Sequence, residues 1–262
     1  MKSSRKKSPR AKGVRHSRNA TRSHERTTQR ENTTHAASPR PIGLLGDVFD
    51  RLYRHFGAQG WWPAPTPFEV MVGAVLTQNT SWKNVERAIR ALRAEGLVEP
   101  RALYELSEEE LAERIRAAGY FRLKARRLRN LLQLLVERYD GSLERMFATD
   151  LPALREELLA VNGIGPETAD SILLYAGGLP TFVVDAYTHR VLARHGWMPF
   201  DTSYDEIKEF FESGLPVDAP LYNEFHALVV RVGHEHCRKR PACDTCPLAE
   251  LLPDGGPLER DD

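Results

Sequence analysis

Apolar residues recur at three- and four-residue intervals along most of this chain, the spacing of one buried face of a helix. Residues 44–56 place Leu45, Val48, Phe49, Leu52 and Phe56 on such a face. The run FEVMVGAVLTQNTSWKNVERAI reads as a helix, a polar break at Thr77–Ser81 and a second helix that Ser81 is placed to cap. Two short helical segments follow within 92–119, one opening on the serine and acidic first turn of SEEELAERI. GYFRLKARRLRNLLQLLVERY then starts a long helix with Leu128, Leu131, Leu132 and Leu135 inward. Residues 151–196 supply a helix (Leu154, Leu158, Leu159), a glycine turn, a second helix (Ala169, Ile172, Leu173, Ala176), an apolar extended segment and a third helix opening at Asp185. Residues 201–235 add two more helices, so the expected fold class is all-α.

The turn Gly163-Ile164-Gly165 needs residues without Cβ, for a positive φ or for close approach of another backbone. Pro166 follows at the first helical position, which its fixed φ suits. N–H groups exposed at such a turn form an anion site, and a DNA phosphate is one anion that fits.

The pair VNGIG and VVDAYTHR, with Asp185 eighteen residues after Glu167, resembles the endonuclease III branch of the helix–hairpin–helix DNA glycosylases. Further matches run from Gly60 to Pro247. The string GWWP, followed by FE and GAVLTQNT with an aromatic residue after it, is most similar to the 3-methyladenine glycosylase branch. This resemblance implies two helical domains with a DNA-binding cleft between them. One spans 63–179 and ends in the hairpin; the other combines 41–62 with 180–250. It also implies that Gly163, Ile164 and Gly165 hold the DNA backbone and that Asp185 is catalytic. Gln78, beside Asn79, would enter the duplex where the target nucleotide leaves. Trp61 or Trp62, with Trp82, would sandwich the flipped base, and a base methylated on a ring nitrogen is a cation that such rings attract. Lys124 would lie near a phosphate.

Each residue also has a plainer reading. The tryptophans can be core anchors, TQNTS an interhelical loop, Asp185 a helix N-cap, and Arg122, Lys124, Arg126 and Arg127 a solvated face. Tyr187 and His189 are weaker candidates for the cleft wall.

Three positions depart from the family pattern. Where bifunctional members carry the lysine that attacks the sugar, this chain has Glu167, which cannot form an imine. Base removal by water without strand cleavage is the expected chemistry, with Asp185 stabilising the oxocarbenium-like sugar. Leu228 occupies a position that is a lysine in some methyladenine glycosylases. The cysteines Cys237, Cys243 and Cys246 form C-x5-C-x2-C, and Leu252 stands where relatives place the fourth ligand of a [4Fe–4S] cluster. The expectations left open are a cluster completed by another group such as His234 or His236, a Cys3His zinc site, and no metal. The basic loop Arg238-Lys239-Arg240 is placed to touch DNA under all three.

Composition narrows the function classes. At 262 residues and 41% apolar content the chain can bury a sizeable core, and no run of eighteen apolar residues suggests a membrane span. Residues 1–40 hold twelve Lys and Arg against two acids, leaving 25 against 34 in the remainder. Segments 1–40 and 251–262 are expected to be disordered tails, the first adding salt-dependent DNA affinity. With no apolar signal core, a cytoplasmic, nucleoid-associated monomer is expected. The function expected is a monofunctional DNA glycosylase of base excision repair acting on alkylated purines in double-stranded DNA. A downstream AP endonuclease is implied by the pathway only. The alternatives are an endonuclease III-like glycosylase for oxidised pyrimidines or mismatches, and a non-catalytic helix–hairpin–helix DNA-binding protein.

Overall fold

The computed structural model describes residues 41–260, which contain helices and no strand. The expected basic tail at 1–40 and the final residues 261–262 lie outside the described residues. The chain runs through α1 (Pro41–Phe56), α2 (Pro67–Leu76), α3 (Trp82–Ala94), α4 (Pro100–Tyr104) and α5 (Glu108–Arg114). The long helix α6 (Phe121–Gln133) continues through a π-type stretch at Leu134–Arg138 and is followed by α7 (Leu143–Phe147). Next come α8 (Leu151–Ala160) and α9 (Pro166–Ser171), the latter extended by a second π-type stretch at Ile172–Ala176. The last three helices are α10 (Ala186–Arg194), α11 (Tyr204–Gly214) and α12 (Ala219–Glu235). None of these is long and apolar enough to cross a membrane.

Local chemistry sets many of the helix starts. Thr66 accepts from the Glu69 amide, and Ser107–Glu110 and Ser203–Glu206 form reciprocal capping boxes. Ser81 sits at the N-cap of α3, but its side chain makes no capping hydrogen bond, contrary to the expectation.

The buried apolar residues sort into two clusters. Residues 68–176 supply one, including Met71, Leu92, Leu128, Leu158 and Leu173. The other draws on Leu45 and Leu52 of α1, Phe182 and the last three helices, with Phe182 stacked on Phe211 at 3.9 Å. Tyr175 packs against both. Between them, the segment after α9 is extended and buried, so its backbone amides need partners. Glu212 accepts from the Phe182 amide at 2.7 Å, and the Tyr204 hydroxyl accepts from the Val184 amide at 3.4 Å. The Tyr204 hydroxyl in turn donates to Asp170, which is fully buried and also accepts from Arg155 and Thr181. This polar knot fixes the approach of the chain to Asp185.

Residues 251–260, expected as a disordered tail, are instead laid against α10. The Leu258 amide donates to the Arg194 carbonyl at 2.9 Å, and Glu259 pairs with the Arg194 guanidinium at 3.2 Å. Arg194 is 5% exposed, and a buried guanidinium needs such partners.

Candidate active site

A cleft of about 1050 Å³ opens among the C-terminal end of α2, the start of α3, α9 with its extension, α10 and α12. Trp61, Trp62, Trp82, Gln78, Asn79 and Asp185 all line it, so residues spread over more than 120 positions meet in one place. Trp62 packs edge-on against Trp82 (5.1 Å) and is tilted against Tyr175 (5.4 Å). Gly73 makes room for this ring: a Cβ there would sit 3.3 Å from the Trp62 indole. The Trp82 indole N–H donates to Glu86 at 3.0 Å. The indole nitrogen of Trp62 is buried and has no partner among the described residues, and that of Trp61, also buried, approaches the Tyr175 hydroxyl.

Asp185 caps α10, its Oδ1 accepting from the amide (2.7 Å) and hydroxyl (2.9 Å) of Thr188. The plain reading of Asp185 as an N-cap therefore holds, and it is compatible with a second role because the same carboxylate also lines the cleft. His226 of α12, which sequence reasoning missed, lies with Nε2 3.9 Å from Asp185 Oδ1 and Nδ1 2.6 Å from the Tyr175 hydroxyl. Burial lowers the His226 pKa, against the opposing pull of Asp185, so the ring is neutral near pH 7. With Tyr175 donating to Nδ1, the ring proton resides on Nε2, which has no partner among the described residues. Burial and the Asp185 charge raise the Tyr175 pKa, which keeps that hydroxyl protonated.

Glu167 lines the same cleft. Its surface stays open to solvent, yet crowding by protein atoms and the Asp185 charge push its pKa up to about 7. A second carboxyl group thus stands in the cleft near Asp185. Tyr187 also forms part of the wall, pressed against Gly233, where a Cβ would fall 2.5 Å from its ring. His189 does not line the cleft. Leu228 is fully buried in the second apolar cluster.

The hairpin adjoins the cleft, and Gly163, Ile164 and Gly165 line a depression that shares Gln78, Arg127 and Glu167 with it. Gly163 has φ +95, and a Cβ there would fall 2.3 Å from Arg127 Cγ, so glycine is required twice over. Asn79 takes φ +53, a left-handed conformation that asparagine tolerates. The Gln78 carboxamide bridges to the hairpin, donating to the Gly163 carbonyl (3.1 Å) and the Thr168 hydroxyl (3.0 Å) while accepting from Arg127 (2.5 Å). Arg127, Arg190, Arg238 and Lys239 give the cleft a cationic rim.

Lys124 is a correction. It is 1% exposed, and its ammonium donates to the carbonyls of Leu76 and Ala118, both at 2.8 Å. Burial, with Arg127 nearby, lowers its pKa to about 8. Enclosed this way, it closes the end of α2 and cannot reach a phosphate. Arg127, three residues on, faces the cleft in its place.

The three cysteines line a separate small cavity of about 10 Å³. Arg194, His195, His236 and Leu252 share its wall. His234, expected as a possible extra ligand, lines the large cleft instead. Burial raises the thiol pKa values of Cys243 and Cys246. Among the described residues no three His, Cys, Asp or Glu side chains converge as a single metal ion requires.

Comparison with known proteins agrees with this architecture. A candidate DNA repair glycosylase of Methanocaldococcus jannaschii is 51% identical over 210 residues, covering 79% of this chain and 95% of that protein. The structure of H. pylori 3-methyladenine DNA glycosylase bound to 1,N6-ethenoadenine is similar with TM-score 0.64 and 28% identity, over 74% of this chain and 97% of that one. A trapped endonuclease III–DNA covalent intermediate gives TM-score 0.68 and 26% identity, over 80% and 94%. Residues 72–216 match the HhH-GPD superfamily of base excision DNA repair proteins. With the all-helical fold, the hairpin and the cleft at Asp185, the chain belongs to that superfamily, as an endonuclease III-like DNA glycosylase.

Proposed function

We propose that this glycosylase hydrolyses the bond between sugar and damaged base without cutting the strand, and that its preferred base is an alkylated purine. The observation that carries the reading is the junction of an aromatic cage with two carboxyl groups, Asp185 and Glu167, in one cleft. Trp62, Trp82 and Tyr175 offer ring faces and edges to a flipped base, and a ring-methylated purine is cationic, so the rings and the Asp185 charge both attract it. The similarity to a 3-methyladenine glycosylase that holds a modified adenine supports the same choice. The endonuclease III structure was trapped as a covalent intermediate, whereas Glu167 has no amine with which to form one.

In the reaction, Asp185 stabilises the positive charge that develops on the sugar as the base departs. It then takes a proton from the attacking water. His226, across a 3.9 Å gap that a water can bridge, orients that water through its Nε2–H. The hairpin amides and Arg127 hold the DNA backbone. Gln78 exchanges its bonds to Gly163 and Thr168 for contacts in the space the nucleotide leaves.

The deciding experiment is release of 3-methyladenine from methylated duplex DNA, with alkali-treated and untreated aliquots run side by side. Base release with strand breaks only after alkali is expected. Breaks without alkali would overturn the monofunctional reading, and absence of release would overturn the alkylpurine reading. One observation favours a second substrate class: the unpartnered Trp62 and His226 nitrogens can donate to the carbonyl edge of a neutral oxidised or mismatched base. The same enzyme assayed on a panel of oxidised and mismatched bases separates the two.

A further inference from the structure

We propose that His195 is the fourth protein ligand of a [4Fe–4S] cluster whose other three ligands are Cys237, Cys243 and Cys246. Each iron of such a cluster takes one protein donor, so the ligands surround a cavity at separate corners. The three cysteines line one small cavity without converging on a point, as a single zinc ion would require. Leu252, at the sequence position of the missing cysteine, is on the cavity wall and has no donor atom.

His195 supplies one. Its ring lines the same cavity and is 7% exposed. Nδ1 lies 2.7 Å from the Val191 carbonyl, one helical turn back, so Nδ1–H donates there and the free lone pair is left on Nε2. Nε2 is buried without a well-formed hydrogen bond among the described residues, although the Leu248 carbonyl also approaches the ring. A buried imidazole nitrogen without a well-formed hydrogen bond, on a ring that shares a cavity wall with three cysteines, can take a ligand partner, and a carbonyl on the opposite nitrogen is how ligating histidines are oriented. Stacking on Trp197 at 4.4 Å pins the ring plane.

The other histidines fit less well. His236 also borders the cavity, but it is half exposed and leans on His55 and Phe56. His234 faces the large cleft. Arg194, next to His195, places its guanidinium 3.7 Å from Cys237 Sγ, where positive charge offsets that of the thiolates. The cluster, when bound, would fasten the loop from Cys237 to Leu252 to α10, and imidazole in place of thiolate raises its potential.

The test needs no DNA, so its outcome is independent of the substrate. The full chain is purified anaerobically, iron and acid-labile sulfide are measured, and pulsed EPR is recorded on the reduced protein with and without isotopically labelled histidine. About four irons per chain and a strongly coupled histidine nitrogen are expected. His195→Ala should lose iron. His195→Cys, and Leu252→Cys in the His195→Ala background, should regain it without the nitrogen coupling and with a lower potential. Protein without iron after anaerobic reconstitution, a four-iron cluster without histidine coupling, or coupling that persists in His195→Ala would each overturn the assignment.

Discussion

Arg155 grips Asp170 through two parallel hydrogen bonds, Nε to Oδ1 at 2.8 Å and Nη2 to Oδ2 at 3.1 Å, joining the two helices that flank the hairpin. Thr181 and Tyr204 donate to the same carboxylate, so one fully buried aspartate links the hairpin to the segment that delivers Asp185. Breaking a buried pair while leaving its partner charged is strongly destabilising. Asp170→Asn should therefore lower stability by about 3 kcal/mol in urea unfolding. A loss under roughly 1 kcal/mol, of the size typical of an exposed pair, would mean the knot is dispensable.

Lys124 and Arg127 should separate stability from DNA binding. Lys124→Met leaves two buried carbonyls unpaired, at about 1–3 kcal/mol each, while the salt dependence of DNA affinity stays as in the wild type. Arg127→Gln should flatten the plot of log affinity against log salt by about one unit. The reverse pattern would restore Lys124 as the phosphate contact. The lysine also gives a pH signature. Its folded pKa of about 8 lies below the ordinary 10.5, so the unfolded chain binds the extra proton between those values. Its contribution to stability therefore rises from pH 8 to 10.5, and Lys124→Met should abolish that rise.

Glu167 is open to a gain-of-function test. Glu167→Lys places an amine in the cleft that holds Asp185, and borohydride should then trap a covalent complex with abasic DNA that the wild type does not form. A variant that binds abasic DNA but is never trapped would show that the geometry at 167 differs from that of lyase members. The carboxyl itself has its pKa raised from 4.5 to about 7, so the folded state holds the extra proton. Its contribution is fully present below pH 4.5 and is lost as pH rises through 7, a loss that Glu167→Gln should remove.

Trp62 should matter to base release more than to DNA affinity, because its ring faces the cage while the cationic rim holds the backbone. Trp62→Ala should reduce kcat/KM for the preferred base by roughly one to two orders of magnitude, the scale of one base–aromatic contact. Duplex affinity measured without a lesion should change little. An equal fall in both would make Trp62 a core anchor, the plain reading of its sequence.

Much of this protein could be read along the chain because the signals are local. Apolar residues at three- and four-residue spacing mark helices such as α6, and the hairpin is legible from Gly163, Gly165 and Pro166 within four positions. Only Gly163, at φ +95, needs to be glycine, since Gly165 has φ −96 and open space around it. Asp185 lies within one short stretch of that hairpin. Glu167 was legible as a departure because its position is counted from the same glycines.

What only the tertiary structure decided are relations between distant segments. Periodicity states which face of a helix is buried, but not which backbone that face meets. Lys124 looks like a solvated charge until the carbonyls of Leu76 and Ala118 close around it. Tyr175 and His226 are 51 residues apart, and each is an unremarkable helix position until the hydrogen bond joins them beside Asp185. His195 stands more than forty residues before the first cysteine, and only the docking of the C-terminal loop on α10 brings its ring to the wall of their cavity. The sequence determined the helices, the hairpin and the acid at its side. Which polar atoms were left without partners was decided by packing, since a group's need for a partner depends on how far burial removes it from water.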